Sequence, residues 1–231
     1  MIDELIITAP FFLTGIWTTL LYTVLGAVAA LVVSFVFGLM SLSRSVAARG
    51  LSRVVVEFFR GTSLVIQLLW IFFVLPQLGI RFEPIAAATI AFGLNFGAYG
   101  AEIVRGAVTA VPRAQWEATV ALGMGRLRRM RRVILPQALP EMVPPFGNLW
   151  IQILKSSSLL YLIGITELTY EVKQLQFDIG SLAAFSIALV VYFLLAQLLV
   201  AVTRWVERRA AARVGRATKG VVVEQPQAVA T

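Results

Sequence analysis

Long runs of apolar residues separated by short polar segments dominate the chain. A run of about 18 or more apolar residues is long enough to cross a membrane as an α-helix. Pro76 and Pro112 end the second and third runs, because proline disrupts a continuing helix. The approximate bounds of the five predicted spans are 11–42, 54–75, 84–110, 133–163 and 179–206. The predicted fold class is therefore an all-α membrane protein with about five transmembrane helices.

The two ends of the chain differ in composition from its apolar body. Asp3 and Glu4 stand where a secretory signal would carry Lys or Arg, so we expect the first apolar run to remain as a membrane helix. Residues 210–231 are polar and rich in small side chains, which is typical of a disordered tail. The predicted organisation is a transmembrane domain over 1–209 followed by that tail.

The distribution of charge gives the predicted spans an orientation. Charged residues make up only 14% of the chain, and its 20 Lys and Arg outnumber its 12 Asp and Glu. If the N-terminus is outside, all basic residues except Arg81, Lys155 and Lys173 fall in inner segments. The outer segments then carry the acids Asp3, Glu4, Glu83, Glu167, Glu171 and Asp178. Because inner loops are rich in Lys and Arg, the N-terminus is predicted outside and the C-terminus in the cytoplasm.

Several kinds of chemistry are excluded by residues and motifs that the sequence lacks. The chain has no cysteine and no histidine, which removes thiol chemistry, the commonest general base and the commonest metal ligand. It contains no Gly-x-x-x-x-Gly-Lys-Ser/Thr phosphate loop, so we expect no ATP hydrolysis, no enzyme activity, no metal and no cofactor in this chain. The net charge of +8 fits anchoring of one membrane face better than nucleic-acid binding.

The longest inner segment between predicted spans covers residues 106–132. Pro112 suits the first position of a helix, where its missing N–H costs nothing, and Gly123 is typical of a helix end. A short helix over about 112–123 is therefore predicted on the cytoplasmic surface. Its apolar side chains do not share one narrow stripe, so we expect contacts with both the membrane body and another protein. These side chains are Trp116, Val120 and Leu122.

Short motifs in and after this helix are similar to a known pattern. Glu117-Ala118-Thr119, Leu122-Gly123-Met124 and Ile134-Leu135-Pro136 together resemble the "EAA loop" of bacterial ABC importer permeases. Thr119 stands where that family usually has alanine. The resemblance implies a coupling helix that docks on a separate ATPase through Gln115, Glu117, Ala118, Thr119, Leu122, Gly123 and Met124.

Further motifs resemble permeases for polar amino acids and extend the likeness over about residues 14–206. They are Arg60-Gly61-Thr62 with Gln67, Asn95 to Tyr99 followed by Glu102, and Lys155 to Leu159 followed by Ile163-Gly164 and Glu167-Leu168. The resemblance implies a type I ABC importer permease fold in the bacterial inner membrane. It also implies import of a polar amino acid or a related small zwitterion by alternating access.

The same resemblance implies several partners. Two ATPase subunits would bind ATP and Mg, and a second permease chain, identical or homologous, would complete the path. A periplasmic or lipid-anchored solute-binding protein would deliver the cargo, and the acidic segment 166–177 is a candidate outer helix to receive it. The arginines between Arg126 and Arg132 are expected to contact anionic membrane lipids, and no nucleic-acid partner is expected.

Polar residues inside the predicted spans are candidates for the substrate pathway, because such groups are costly in a membrane. These candidates are Gln67, Asn95, Tyr99, Glu102, Lys155, Ser156, Ser157 and Ser158. Lys155 could bind a substrate carboxylate, aided by serine hydroxyls or, if the helix is broken there, by free backbone N–H groups. Alternatively, Lys155 pairs with Glu102 and only fixes helix packing.

The other polar and special residues carry alternatives of their own. Glu102 either faces the pathway or forms an ion pair with Arg105 or Arg60, while Gln67 and Asn95 either line the path or hold helices together. Close helix packing is expected at the small residues Gly93 and Gly97. The fourth span is predicted to begin kinked or broken, as a hinge or a fixed bend, at Pro136, Pro140, Pro144 and Pro145.

Two other functions account for parts of the pattern. A passive channel or facilitator explains the spans and the intramembrane polar residues but leaves the docking-type segment unexplained. A membrane scaffold without cargo has little need for Asn95, Glu102 and Lys155 within the bilayer. For a transporter, Ser156 stands where the family often has an acid or amide, which argues against a cationic cargo.

Overall fold

The computed structural model describes the backbone of residues 2–213 and the side chains of residues 11–209. Over these residues the chain is helical, without strands. Two short helices continue without a break into single π-helical turns, which are Trp70–Val74 after α3 and Met130–Ile134 after α6. The helices are α1 (Ile2–Ser41), α2 (Val46–Gly61), α3 (Leu64–Leu69), α4 (Pro84–Thr109), α5 (Arg113–Ala121), α6 (Arg126–Arg129), α7 (Leu135–Ser156), α8 (Leu168–Ile179) and α9 (Ser181–Arg213).

Two helices are long and apolar enough to span a membrane on their own, Phe11–Ser41 within α1 and Ser181–Arg209 within α9. Two bent pairs meet the same criteria jointly, Val46–Gly61 with Leu64–Leu78 and Arg126–Ile163 with Leu168–Ile179. Helix α4 has 26 residues, so it is about 39 Å long and exceeds a hydrocarbon core of about 30 Å. The five predicted spans therefore fall on α1, the α2–α3 pair, α4, the pair that contains α7, and α9, of which α4 is long enough for a span but does not also meet the apolarity criterion.

The second predicted span is not one straight helix. It was expected to run without interruption over 54–75, whereas α2 ends at Gly61 and α3 starts at Leu64 with a bend of 102° between the two arms. The residues between the arms, Thr62 and Ser63, have extended backbones. Short polar residues compete with the helix for backbone hydrogen bonds, and Gly61 adds little helix propensity, so the break falls here.

Helix α4 lies at the centre of the fold and contacts α1, α2, α3 and α7. The predicted close packing at its glycines is confirmed. A Cβ atom built on Gly93 would lie 2.9 Å from Ala29 Cβ of α1, and one on Gly97 would lie 2.5 Å from Val33 Cβ. The absence of a side chain at these positions therefore lets the two helix backbones approach closely.

The fourth predicted span does not begin with a break. Helical backbone continues from Arg126 to Ser156, with three prolines inside α7. The irregularity comes earlier, in the π-turn Met130–Ile134, and Pro136 lies in the first turn of α7. A π-turn changes the hydrogen-bond register, and a proline in a first turn needs no N–H partner, so the chain enters α7 without breaking.

The predicted boundary between membrane domain and tail falls inside a helix. The backbone of α9 continues through Arg213, beyond the boundary predicted at residue 209. Residues 214–231 of the predicted tail lie outside the described residues, as do the side chains of Asp3 and Glu4.

Candidate translocation pathway and coupling segment

Two buried amides meet the backbone where the α2–α3 pair bends. The Nε2 atom of Gln67 donates to the Phe59 carbonyl at 3.0 Å and to the Thr62 hydroxyl at 2.6 Å. The Nδ2 atom of Asn95, on α4, donates to the same Phe59 carbonyl at 3.0 Å. The last carbonyls of a helix have no intrahelical partner, and in a membrane they must be satisfied by other protein groups. In this chain Gln67 therefore ties α3 to the end of α2, and Asn95 holds the bend against α4, which is the helix-packing role given as one alternative.

Tyr99 meets the same bend from an accessible position. Its hydroxyl donates to the Arg60 carbonyl at 3.2 Å, and the guanidinium carbon of Arg60 lies 5.3 Å from the centre of its ring. This distance is within the range of a cation–π interaction. Tyr99 is 39% exposed, whereas Gln67 and Asn95 are buried. Of these three predicted pathway residues, only Tyr99 has a substantially exposed side chain in the single chain.

A charged cavity of about 590 Å³ lies between α1, α2 and α4. Two ion pairs line it, with 2.8 Å between Arg53 Nε and Glu57 Oε1 and 2.7 Å between Arg105 Nη2 and Glu102 Oε2. Charged side chains within membrane spans face bundle interiors or water-filled cavities. Arg60, which lies beside the bend, also lines the cavity. From there the cavity extends along α1, α2 and α4 toward the residues predicted on the cytoplasmic side.

Glu102 forms one of the ion pairs predicted for it, and its place in the pathway stays a prediction. It forms the predicted ion pair with Arg105, and it also lines the cavity. Glu102 and Lys155, whose side chains are both described, do not form the ion pair that was predicted as an alternative. Lys155 lies instead in a groove of about 490 Å³ between α7 and α9.

The serines after Lys155 bond to backbone carbonyls. The Ser157 hydroxyl is buried and donates to the Leu154 carbonyl at 2.7 Å, and the Ser158 hydroxyl donates to the Lys155 carbonyl at 2.9 Å. Ser156 is partly buried at the end of α7. The helix does not break at this point but tightens into a 3₁₀ segment, Ser157–Ile163. The expected free N–H groups are therefore not provided by a break, although this segment does contact α3, which carries Gln67.

A buried polar cluster, which we call the Glu167 cluster, joins α8 to α9. The Glu167 carboxylate is fully buried and accepts from the Thr169 N–H at 2.8 Å, the Tyr170 N–H at 3.0 Å and the Tyr192 hydroxyl at 2.9 Å. The Tyr192 hydroxyl also lies 3.0 Å from the Thr169 hydroxyl. Sequence reasoning placed Glu167 among outer acids and missed its burial. An acid just before a helix signals an N-cap, but its pairing with Tyr192 depends on tertiary packing.

The predicted short helix of the inner segment is confirmed as α5, Arg113–Ala121. Pro112 is its N-cap, one position before the helix rather than at its first residue. Gly123 follows with a φ of +65°, the left-handed conformation that glycine adopts most readily. The Gly123 N–H donates to the Val120 carbonyl and the Met124 N–H to the Thr119 carbonyl. These two bonds form a Schellman motif, which ends the helix as the glycine predicts.

Helix α5 presents different residues to the membrane body and to the exterior. Trp116 packs against the central core, and Thr119 is buried with its hydroxyl 2.7 Å from the Trp116 carbonyl, to which it donates. Val120 and Leu122 are 58% and 77% exposed. A further contact joins α5 to α7, in which Gln137 Nε2 donates to Gln115 Oε1 at 3.3 Å. The helix is thus attached to the membrane body, with apolar side chains directed outward.

Residues 30–212 match the family model described as "binding-protein-dependent transport system inner membrane component". A Sinorhizobium fredii protein named "probable amino-acid ABC transporter permease protein" is 42% identical over 206 residues, which cover 83% of this chain and 87% of the relative. The glutamine transport system permease protein GlnP of Escherichia coli is 36% identical, over 87% of this chain and 93% of the relative. The L-cystine transport system permease protein TcyB of Bacillus subtilis is 34% identical, over 87% and 86%.

Solved structures match over the same region. The crystal structure of an amino acid ABC transporter with histidines superposes with a TM-score of 0.81 at 31% identity and covers 89% of this chain and 97% of the matched chain. An inward-facing structure of the MetNI methionine ABC transporter gives 0.73 at 22% identity, over 88% and 97%. The second match carries the fold alone, and that fold is the predicted type I importer permease fold.

Proposed function

Because the chain belongs to the family of binding-protein-dependent transport system inner membrane components, we propose that it is the permease subunit of an ABC importer for polar amino acids or related small zwitterions. Helix α5 carries this proposal. It is attached to the membrane body through Trp116 and Thr119 and directs Val120 and Leu122 outward, as a segment that receives force from a separate protein requires. The proposed location is the bacterial inner membrane.

The energy for transport comes, in this proposal, from two ATPase subunits that bind ATP and Mg. The exposed residues of the coupling segment dock on them, namely Gln115, Glu117, Ala118, Leu122 and Gly123, with the partly buried Met124 at the edge. Thr119 was expected to contact the ATPase directly. Its side chain is buried, so in this proposal it instead stabilises α5 against the membrane body. Movement of α5 reaches α7 through Gln115 and Gln137, and α7 with α4 then switches the path between inward- and outward-open states.

The proposed path for the solute includes the charged cavity between α1, α2 and α4, which lies toward its predicted cytoplasmic end. Glu102 offers a carboxylate there, and Tyr99, which contacts the lining residue Arg60, offers an exposed ring nearby. Lys155 lies in a different groove, so its predicted contact with a cargo carboxylate requires a surface that the single chain leaves open. A second permease chain, identical or homologous, would close that surface, and a solute-binding protein would deliver cargo from outside beside α8.

Polar amino acids are supported as cargo by two relatives whose names specify glutamine and cystine. Ser156, in place of an acid, further favours neutral side chains over cationic ones. The test is to co-express the chain with a cognate ATPase and binding protein and to measure ATPase activity with glutamine or arginine. We expect co-purification of the ATPase and greater stimulation by glutamine. A clear preference for arginine would contradict the cargo proposal, and failure of the ATPase to co-purify would contradict the importer itself.

A further inference from the structure

A basic groove lies at the start of the helix that becomes the fourth span. It has a volume of about 390 Å³ and is lined by Leu127, Arg128, Arg131 and Arg132. All four side chains are exposed, and Leu127 is 73% exposed. Within residues 11–209, none of the three arginines has a carboxylate at ion-pair distance. The groove is therefore a concentrated positive site with one apolar wall.

The local backbone gathers these arginines on one side of the helix. Residues 128, 131 and 132 have the spacing of neighbours on a helical face, and the π-turn Met130–Ile134 passes through them. Ile134 is buried, and Met130 and Val133 pack against the core, so the inward face is occupied. Like charges at this spacing repel one another, which makes a bound anion stabilising.

Arg129 is the exception within the run. It is partly buried, and its Nη2 atom donates to the Met124 carbonyl at 3.3 Å. This arginine ties the end of the coupling segment to α6, while its neighbours remain available to an external anion. Within this short stretch, Arg129 therefore has a structural partner, whereas Arg128, Arg131 and Arg132 are exposed and line the groove.

The position of the groove identifies the kind of anion. Its helix continues directly into α7, so its first two turns lie where the chain enters the cytoplasmic side of the membrane, as the positive-inside pattern predicts. Guanidinium groups match phosphate oxygens in geometry as well as charge. An exposed leucine beside them suits the upper part of an acyl chain. Clusters of Lys and Arg immediately on the cytoplasmic side of a spanning helix are typical binding sites for anionic headgroups.

We propose that this groove is a specific binding site for the phosphate of an anionic phospholipid from the inner leaflet. The lipid neutralises Arg128, Arg131 and Arg132 and contacts Leu127. Because α5 packs against the adjacent π-turn, the bound headgroup also stabilises the base of the coupling segment. The binding itself does not depend on the proposed transport function, and it can be measured on the full chain alone.

The direct test is native mass spectrometry of the full chain in mild detergent with phosphatidylglycerol or phosphatidylcholine. We expect wild-type protein to retain phosphatidylglycerol selectively. The triple substitution Arg128→Gln, Arg131→Gln and Arg132→Gln should lower that retention by at least about tenfold, since several charge-assisted bonds are lost together. The matched control removes the same charge at the cytoplasmic end of α9, through Arg204→Gln, Arg208→Gln and Arg209→Gln. The control should change retention by less than about twofold.

Two outcomes would overturn the proposal. The first is unchanged lipid retention in the groove variant, and if the ATPase then no longer co-purifies, the groove belongs to an acidic protein surface. The second is an equal loss in the control, which would indicate diffuse surface charge. If the triple variant does not fold, Arg131→Gln alone serves. Wild-type protein gives a further measurement, in which phosphatidylglycerol should raise the thermal midpoint more than phosphatidylcholine does.

Discussion

At the scale of single residues, the intramembrane polar side chains divide by their burial. Gln67 and Asn95 are buried and donate to a carbonyl near the end of α2, while Tyr99, which also donates to a carbonyl there, is exposed, and Glu102 lines the cavity. A polar residue in a membrane is thus a weak indicator of substrate contact until its hydrogen bonds are known. The first two residues are expected to affect stability, and the second two to affect transport.

Asn95→Leu tests this division. Leucine has a similarly branched but larger side chain that cannot donate to the Phe59 carbonyl, so the free energy of unfolding should fall by roughly 1 kcal/mol or more. Denaturation in mixed micelles, followed by tryptophan fluorescence, measures the change. The control is Thr89→Val on the same helix, whose hydroxyl only donates to the Ile85 carbonyl one turn earlier. Equal stability of the two variants would show that the bend does not need this amide.

The Glu167 cluster gives a larger expected effect. Glu167→Ala leaves two backbone N–H groups and the Tyr192 hydroxyl without their acceptor, so we expect a loss of roughly 2–3 kcal/mol in the free energy of unfolding. Glu171→Ala, one turn later on a partly exposed side chain, should cost less than about 1 kcal/mol. If both variants unfold at the same denaturant concentration, the buried carboxylate is not a structural centre.

At the scale of elements, α5 was predictable because its signals are local. Pro112 and Gly123 delimit it, and the Schellman bonds follow from the glycine conformation. The α2–α3 bend was missed because Gly61, Thr62 and Ser63 interrupt an otherwise apolar run without a proline, and the compensating donors come from α4. The absence of a break in α7 was missed for a related reason. The π-turn that accommodates Pro136 has no clear signature in the residues that form it.

Gly123→Ala tests the end of α5. Glycine at φ +65° becomes strained when a Cβ atom is added, at a cost of about 1–2 kcal/mol, although no atom lies within 4 Å of that Cβ. The strain should distort the docking surface, so we expect weaker ATPase co-purification with an intact membrane body. Gly125→Ala is the control, since Gly125 has a φ of −62° and similar free space. Unchanged ATPase co-purification with Gly123→Ala would show that the end of α5 is not needed for docking of the ATPase.

At the scale of the whole molecule, the candidate pathway is divided between two surfaces. The charged cavity involves α1, α2 and α4, whereas Lys155 lies in the groove between α7 and α9. The sequence predicted both sets of residues but could not show their separation, because their relative positions depend on how the helices pack. The division supports a path that a second permease chain completes.

Lys155→Met tests the proposed cargo contact in the assembled importer. Methionine keeps most of the apolar stem and removes the charge, so assembly with the ATPase should persist while the KM for uptake rises by about tenfold or more. Lys173→Met is the control, because this exposed lysine of α8 stacks 4.3 Å from the Tyr161 ring centre and is not part of the proposed path. Unchanged uptake kinetics in Lys155→Met would assign the lysine a structural role.

The central claim is that this chain moves solute only when a separate ATPase drives it. The most direct measurement is uptake of radiolabelled glutamine into proteoliposomes that contain the chain, a cognate ATPase and a cognate binding protein, with and without ATP inside. We predict accumulation against a gradient with ATP and none without it. Uptake that reaches only the external concentration and proceeds equally without ATP would contradict this account and identify a passive facilitator.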